Sequence, residues 1–215
     1  MTVFGILLAA GRGRRFDPSG RRSKLEAEIA GEPVAVRACR SLVEGCDRVF
    51  AVCRSDQAGL IAALRRTGAR VVELDATGTG ATEGMGLSLA AGARAVAADA
   101  GPDDRVLVMP ADMPWVAART IRAIAGAAAA DDAIVVPVLD EAAAGPGQDA
   151  TPTAGGGHPV RFPARLLPEL AALAGDIGAR DLLRRHPVHR VVVTDPAIVR
   201  DVDLPSDLPS SRPSV

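Results

Sequence analysis

The 215-residue chain, 48% hydrophobic and 24% charged, carries enough apolar surface for a sizeable core, which excludes a disordered or fibrous chain. Its 26 acidic and 25 basic residues leave a formal net charge of -1, so no global field draws it to nucleic acid or to an anionic membrane, and an anionic ligand must be gripped locally. No apolar run reaches the roughly 18–20 residues of a membrane span, and the first strand runs into a Gly-Arg loop without a small-residue cleavage site, so a cytoplasmic protein is expected.

Residues 3–8 form an apolar run broken by Gly5, the pattern of a strand buried on both faces, which ends in the loop 9–24. Further strands are predicted at 48–53, 70–74, 105–109, 133–138 and 190–194. Ala- and Leu-rich segments at 33–43, 57–66, 88–98 and 116–130 read as helices between them. This alternation implies right-handed crossovers and a mainly parallel sheet, an α/β chain folded as a three-layer α/β/α sandwich. The stretch 140–157, rich in Gly, Ala, Pro, Asp and Thr, reads as a surface loop that is either a lid or slack. From Pro205 on, repeated Pro and Ser leave nothing to pack, and a frayed tail is expected from about residue 209. Residues 1–215 are expected to make a single domain.

Ligands of a parallel sheet bind beyond the carboxyl ends of its strands, where Leu8-Ala9-Ala10-Gly11-Arg12-Gly13-Arg14-Arg15 lies. Small residues let backbone N–H groups approach a polyanion, while the arginines and Lys24 supply charge, so the loop reads as a phosphate cradle. Only one of the 25 basic residues is lysine, which points either to a need for a compact ammonium at Lys24 or to chance. A dinucleotide loop fits poorly because Gly11-x-Gly13-x-x-Phe16 lacks its third glycine, and the Gly-Lys-Ser/Thr ending of a P-loop is missing. A solvated basic loop is the plain alternative. Cys39, Cys46 and Cys53 are odd in number and show no metal-ligand spacing, so they read as buried or idle thiols.

Asp112 follows the strand 105–109 and is therefore expected at the same sheet edge, where a carboxylate among basic groups invites a cation. Oxygen ligands beside a triphosphate suit Mg²⁺. The alternative for Asp112 is a cap on the helix that follows. Asp201 and Asp203, two apart in an extended segment, point to one face and offer a second carboxylate; a turn built on Asp-Leu-Pro-Ser-Asp is the other reading.

These stretches resemble the small-molecule nucleotidyltransferases of the molybdopterin CMP- and GMP-transferring type. Leu8-Ala9-Ala10-Gly11, Gly13, Arg15 and Lys24 match the opening pattern, although Asp17 stands where the family usually has Gly and the return to Lys24 is longer. The likeness continues in order through Gly84–Leu89, Pro110–Pro114, Gly157–Val160, Gly175–Arg180 and Asp201–Pro205. It implies a Rossmann-like sheet of the nucleotide-diphospho-sugar transferase type. It also implies Asp112 and Asp203 as Mg²⁺ ligands, Lys24, Asp112 and Arg15 in catalysis, and Leu8, Ala9, Ala10, Gly11, Gly13, Lys24, Gly86 and Ser88 around the nucleotide. His158, Asp176 and Arg180 are implied on the acceptor side, with a loop-holding role for His158 and a helix-start ion pair for Asp176 and Arg180 as the local alternatives. CTP-using members tend to carry Ala-Ala-Gly and a Gly-Met-x-x-Ser-Leu segment, so the resemblance favours CTP, with molybdopterin as acceptor and a molybdoenzyme apoprotein as recipient. Sugar-phosphate transfer, and a non-catalytic cofactor-binding chaperone, are the other expectations.

Overall fold

The computed structural model describes residues 1–75, 84–140, 156–175 and 178–209. Along β1 (Val3–Leu8) side chains alternate between two buried clusters: Phe4 and Ile6 join one face of the sheet and Leu7 the other. The same alternation runs through β4 (Arg48–Arg54), β6 (Arg105–Pro110) and β7 (Ile134–Leu139), as expected where both faces are covered. One face is covered by α1 (Val34–Gly45), α2 (Ala58–Arg66) and α4 (Ala118–Gly126). The other carries α3 (Met85–Ala97), α5 (Leu167–Ala171) and α6 (Arg180–Arg185).

With β5 (Arg70–Leu74), β8 (Val160–Pro163) and β9 (Val188–Val193), the seven-stranded sheet has the order β5-β4-β1-β6-β8-β7-β9. Only β8 runs against its neighbours. The six strands and four helices expected from periodicity are all present, their ends moved by a few residues; α3 starts at Met85 rather than at Ser88.

Three features were not foreseen: β8, α5 and a hairpin of β2 (Glu28–Ile29) and β3 (Glu32–Pro33); α6 was present only as the helix start offered at Arg180. β8 hides from an apolar-run reading because its second residue is Arg161, only 4% exposed. The Arg161 guanidinium donates to the carbonyls of Ala125 at 3.0 Å and Ala127 at 2.8 Å, closing the end of α4, and burial lowers its pKa to about 10. The tail also differs from expectation. Pro205–Asp207 forms a 3₁₀ turn in which the Asp207 carboxylate accepts the N–H groups of Asp203 and Leu204 at 2.9 and 2.7 Å. Leu208 then packs on Phe16, Ile29, Val34 and Val202. Residues 141–155 of the expected loop, and 210–215, lie outside the described residues.

Candidate active site

The chain passes from β1 to β4 and β5 on one side, then returns to β6 on the other, so the carboxyl end of β1 faces a topological switch point. The loop after β1 is pinned there. The Ala9 N–H donates to the Val52 carbonyl at 2.8 Å, and the Ala111 N–H donates to the Leu8 carbonyl at 3.0 Å. Arg54, at the end of β4, donates to the carbonyls of Ala10 at 3.0 Å and Gly11 at 3.3 Å while its Nε binds Asp56. Sequence reading did not single out Arg54, since a strand-end arginine carries no motif.

Gly13 has φ +60, and a Cβ there would sit 3.1 Å from the Lys24 Cγ, so glycine serves both the turn and the close passage of the lysine stem. Phe16 anchors the arginine-rich segment by burial against Ile29, Val34 and Val202. Asp17 organises the longer return to Lys24: its carboxylate accepts from the Ser19 N–H at 2.9 Å, the Ser19 hydroxyl at 2.6 Å and the Arg22 N–H at 2.8 Å.

Lys24 ends that path with its side chain 12% exposed, and its Nζ lies 2.7 Å from Asp112 Oδ2 and 2.8 Å from Asp203 Oδ1. Arg15 reaches the other Asp203 oxygen at 2.9 Å from an exposed position. Burial works against the Lys24 charge, but Asp112 and Asp203 outweigh it and its pKa ends above the ordinary lysine value. The hydrogen bond from Lys24 holds Asp203 below the ordinary carboxylate value. Asp201 goes the other way, raised by desolvation and by the charges of Asp112 and Asp203.

Asp112 does not cap the helix that follows it. That task falls to Asp195, whose Oδ2 accepts from the Ala117 N–H at 3.2 Å and the Thr120 hydroxyl at 2.6 Å. The turn at Asp203 is closed by Asp207, which leaves the Asp203 side chain to Lys24 and Arg15. Two further contacts hold the 200–203 segment beside Asp112. The Val202 N–H donates to the Asp112 carbonyl at 2.9 Å, and the Arg200 guanidinium lies 3.8 Å from the centroid of Trp115.

On α3, Gly84 precedes the first turn at φ +142, the Gly86 N–H donates to the Gly175 carbonyl at 2.9 Å, and the buried Ser88 hydroxyl donates to the Gly84 carbonyl at 3.4 Å. The start of α3 therefore meets Gly175 and, through Met85, Gly178. Arg180 opens α6 in an exposed position, and Asp176 lies outside the described residues. The His158 N–H donates to the Ile198 carbonyl at 2.8 Å, while its Nδ1 is buried with no hydrogen-bond partner among the described residues. Desolvation pushes the imidazole below its ordinary pKa, opposed by a hydrogen bond to the Val108 backbone and by the nearby Asp112 charge.

Asp112, Asp201 and Asp203 each offer one carboxylate oxygen, all within 4.8 Å of one another. An anionic, all-oxygen donor set fits a hard divalent cation such as Mg²⁺ or Mn²⁺. The loop, the lone lysine and the acidic trio thus meet beyond the carboxyl ends of β1 and β6.

Residues 5–191 match the family described as the MobA-like NTP transferase domain. The chain belongs to that family. It is a nucleotidyltransferase of the MobA-like kind, and a nucleoside triphosphate substrate is consistent with that family. Rv0371c from Mycobacterium tuberculosis is 26% identical with a TM-score of 0.72, covering 96% of each chain. A nucleotidyl transferase from Methanothermobacter, Mth528, is 24% identical at TM-score 0.72, over 96% of this chain and 94% of its own. A second structure of Rv0371c, described as a complex with manganese, shows the same fold at TM-score 0.67 and 24% identity, over 96% of both chains. No curated protein sequence matches the chain.

Proposed function

We propose that this MobA-like protein moves CMP from CTP onto the terminal phosphate of the molybdenum cofactor, releasing pyrophosphate. The observation that carries this reading is Lys24 held between Asp112 and Asp203, with its stem passing Gly13 of the loop after β1. An acceptor phosphate oxygen attacks the α-phosphorus in line, the bond between α-phosphorus and bridging oxygen breaks, and pyrophosphate departs. The nucleophile is already an anion, so no general base is required. We place His158, whose backbone is tied to Ile198, with Asp176 and Arg180 on the acceptor side.

The backbone at Leu8, Ala9, Ala10, Gly11 and Gly13 receives the triphosphate, and Lys24 and Arg15 balance its charge. Asp112 and Asp203, joined by Asp201, hold Mg²⁺; when bound, that ion stabilises charge on the phosphoryl oxygens. Gly86 and Ser88 line the nucleotide side. Ala10 supports CTP, because its methyl narrows the base pocket against a purine. The reaction draws on soluble nucleotide in the cytoplasm, and among the described residues no helix is long and apolar enough to cross a membrane.

Pyrophosphate release in Mg²⁺ tests the reading, with CTP or GTP and either molybdopterin or sugar 1-phosphates as acceptor. Release with CTP and molybdopterin is the expected result. Release with sugar phosphates alone replaces the acceptor, preference for GTP overturns the cytidylyl assignment, and no release with any pair overturns the transferase reading. Ala10→Gly should raise GTP use relative to CTP, by no more than the about 1–3 kcal/mol one methyl contributes.

A further inference from the structure

Lys24 fills the place toward which the carboxylates face. Its ammonium touches Asp112 at 2.7 Å and Asp203 at 2.8 Å, while the oxygens of Asp112, Asp201 and Asp203 lie within 4.8 Å of one another. A Mg²⁺ bound to the same two carboxylates at roughly 2.0–2.1 Å would compete with Lys24 for their charge and would sit against a like charge. Arg15 is a weaker competitor, since its side chain is 81% exposed and water screens it. The Lys24 stem is confined by Gly13, where even a Cβ would come within 3.1 Å of it.

We infer that Lys24 is a tethered counter-ion that keeps free divalent cations out of the acidic trio until a triphosphate arrives. The polyanion gives the ammonium a new partner, the carboxylates are released, and metal and nucleotide bind as one coupled event. The inference rests on the proposed function only for the trio being the metal site. Its consequence is regulatory: free Mg²⁺ alone leaves the nucleotide-free protein with Lys24 in place.

Mn²⁺ binding to the nucleotide-free full chain, followed by the paramagnetic resonance of the unbound ion, tests it. Lys24→Gln should bind Mn²⁺ at least about tenfold more tightly than the wild type, since removal of one ammonium frees two charge-assisted hydrogen bonds. Lys24→Arg, which keeps the cation, should stay weak. A non-hydrolysable CTP analogue, corrected for the Mn²⁺ it binds alone, should tighten Mn²⁺ binding strongly in the wild type and much less in Lys24→Gln. Lys24→Met repeats the measurement should the glutamine variant fail to fold, with circular dichroism as the check. Equal or weaker Mn²⁺ binding by the neutral variants overturns the inference, as does a gain in Lys24→Arg matching that in Lys24→Gln. Pyrophosphate assays separate this from the function reading: a Mn²⁺ gain without turnover on any nucleotide leaves the counter-ion standing, and turnover without a Mn²⁺ gain removes it alone.

Discussion

Asp112, Asp201 and Asp203 carry the same functional group and differ in what surrounds it. Asp203 gains two cationic partners, whereas Asp201 is part-desolvated beside two like charges and its pKa is raised. An acid whose folded pKa exceeds its unfolded value costs stability while ionised, and the cost disappears as pH falls through the folded pKa. In chelator, Asp201→Asn should therefore melt at a higher temperature than the wild type at neutral pH. The gap should close as pH approaches the ordinary carboxylate value of 3.8; a lower melting temperature at pH 7 would contradict it. Asp112→Asn should keep the fold and lower kcat by about a hundredfold or more, the size expected when a group holding a transition-state metal is neutralised. Near-normal turnover would remove Asp112 from the chemistry.

Elements meet where side chains are smallest, and α3 shows what that does to the usual helix rules. At Gly92 an added Cβ would lie 2.6 Å from Cγ2 of the buried Ile6 and 3.1 Å from Cγ2 of Val52, so α3 approaches β1 and β4 closely. Helix propensity alone makes Gly92→Ala stabilising by roughly 0.5–1 kcal/mol. Overpacking against a stiff, buried isoleucine outweighs that, so Gly92→Ala should destabilise by about 1–3 kcal/mol in denaturant unfolding. A stabilised variant would show that the interface yields. Such contacts explain what periodicity left out. Residues 3–8 read as a strand because both faces are apolar, but β8 carries Arg161 in the interior, and its satisfaction depends on carbonyls some 34–37 residues away.

Across the whole molecule, the loop after β1 and Asp112 were legible because both follow apolar strands, and the sheet brings those strand ends together. Arg54 was not, since it has no local signature and matters only through residues distant in the chain, while the Asp201/Asp203 spacing offered one carboxylate and not that both join Asp112. The three cysteines, free in the folded chain, were legible from count and spacing. Burial raises the Cys39 thiol to about 11 and those of Cys46 and Cys53 to about 12. At pH 8 no more than about 10⁻³ of each is thiolate, so Ellman's reagent should label the native protein slowly and the denatured protein at once. Rapid labelling of a native thiol would place it at a more open surface.

One lysine in the chain also means one address for a lysine-specific protease. Lysyl endopeptidase can cut this protein only after Lys24, and there the side chain is 12% exposed and tied to two carboxylates. The cut therefore requires Lys24 and its partners to open locally, and its rate measures how often that happens. CTP with Mg²⁺ should slow the appearance of the two fragments, whereas Asp203→Asn, which removes one tether, should hasten it. If the cut proceeds as fast with nucleotide as without, Lys24 does not meet the triphosphate.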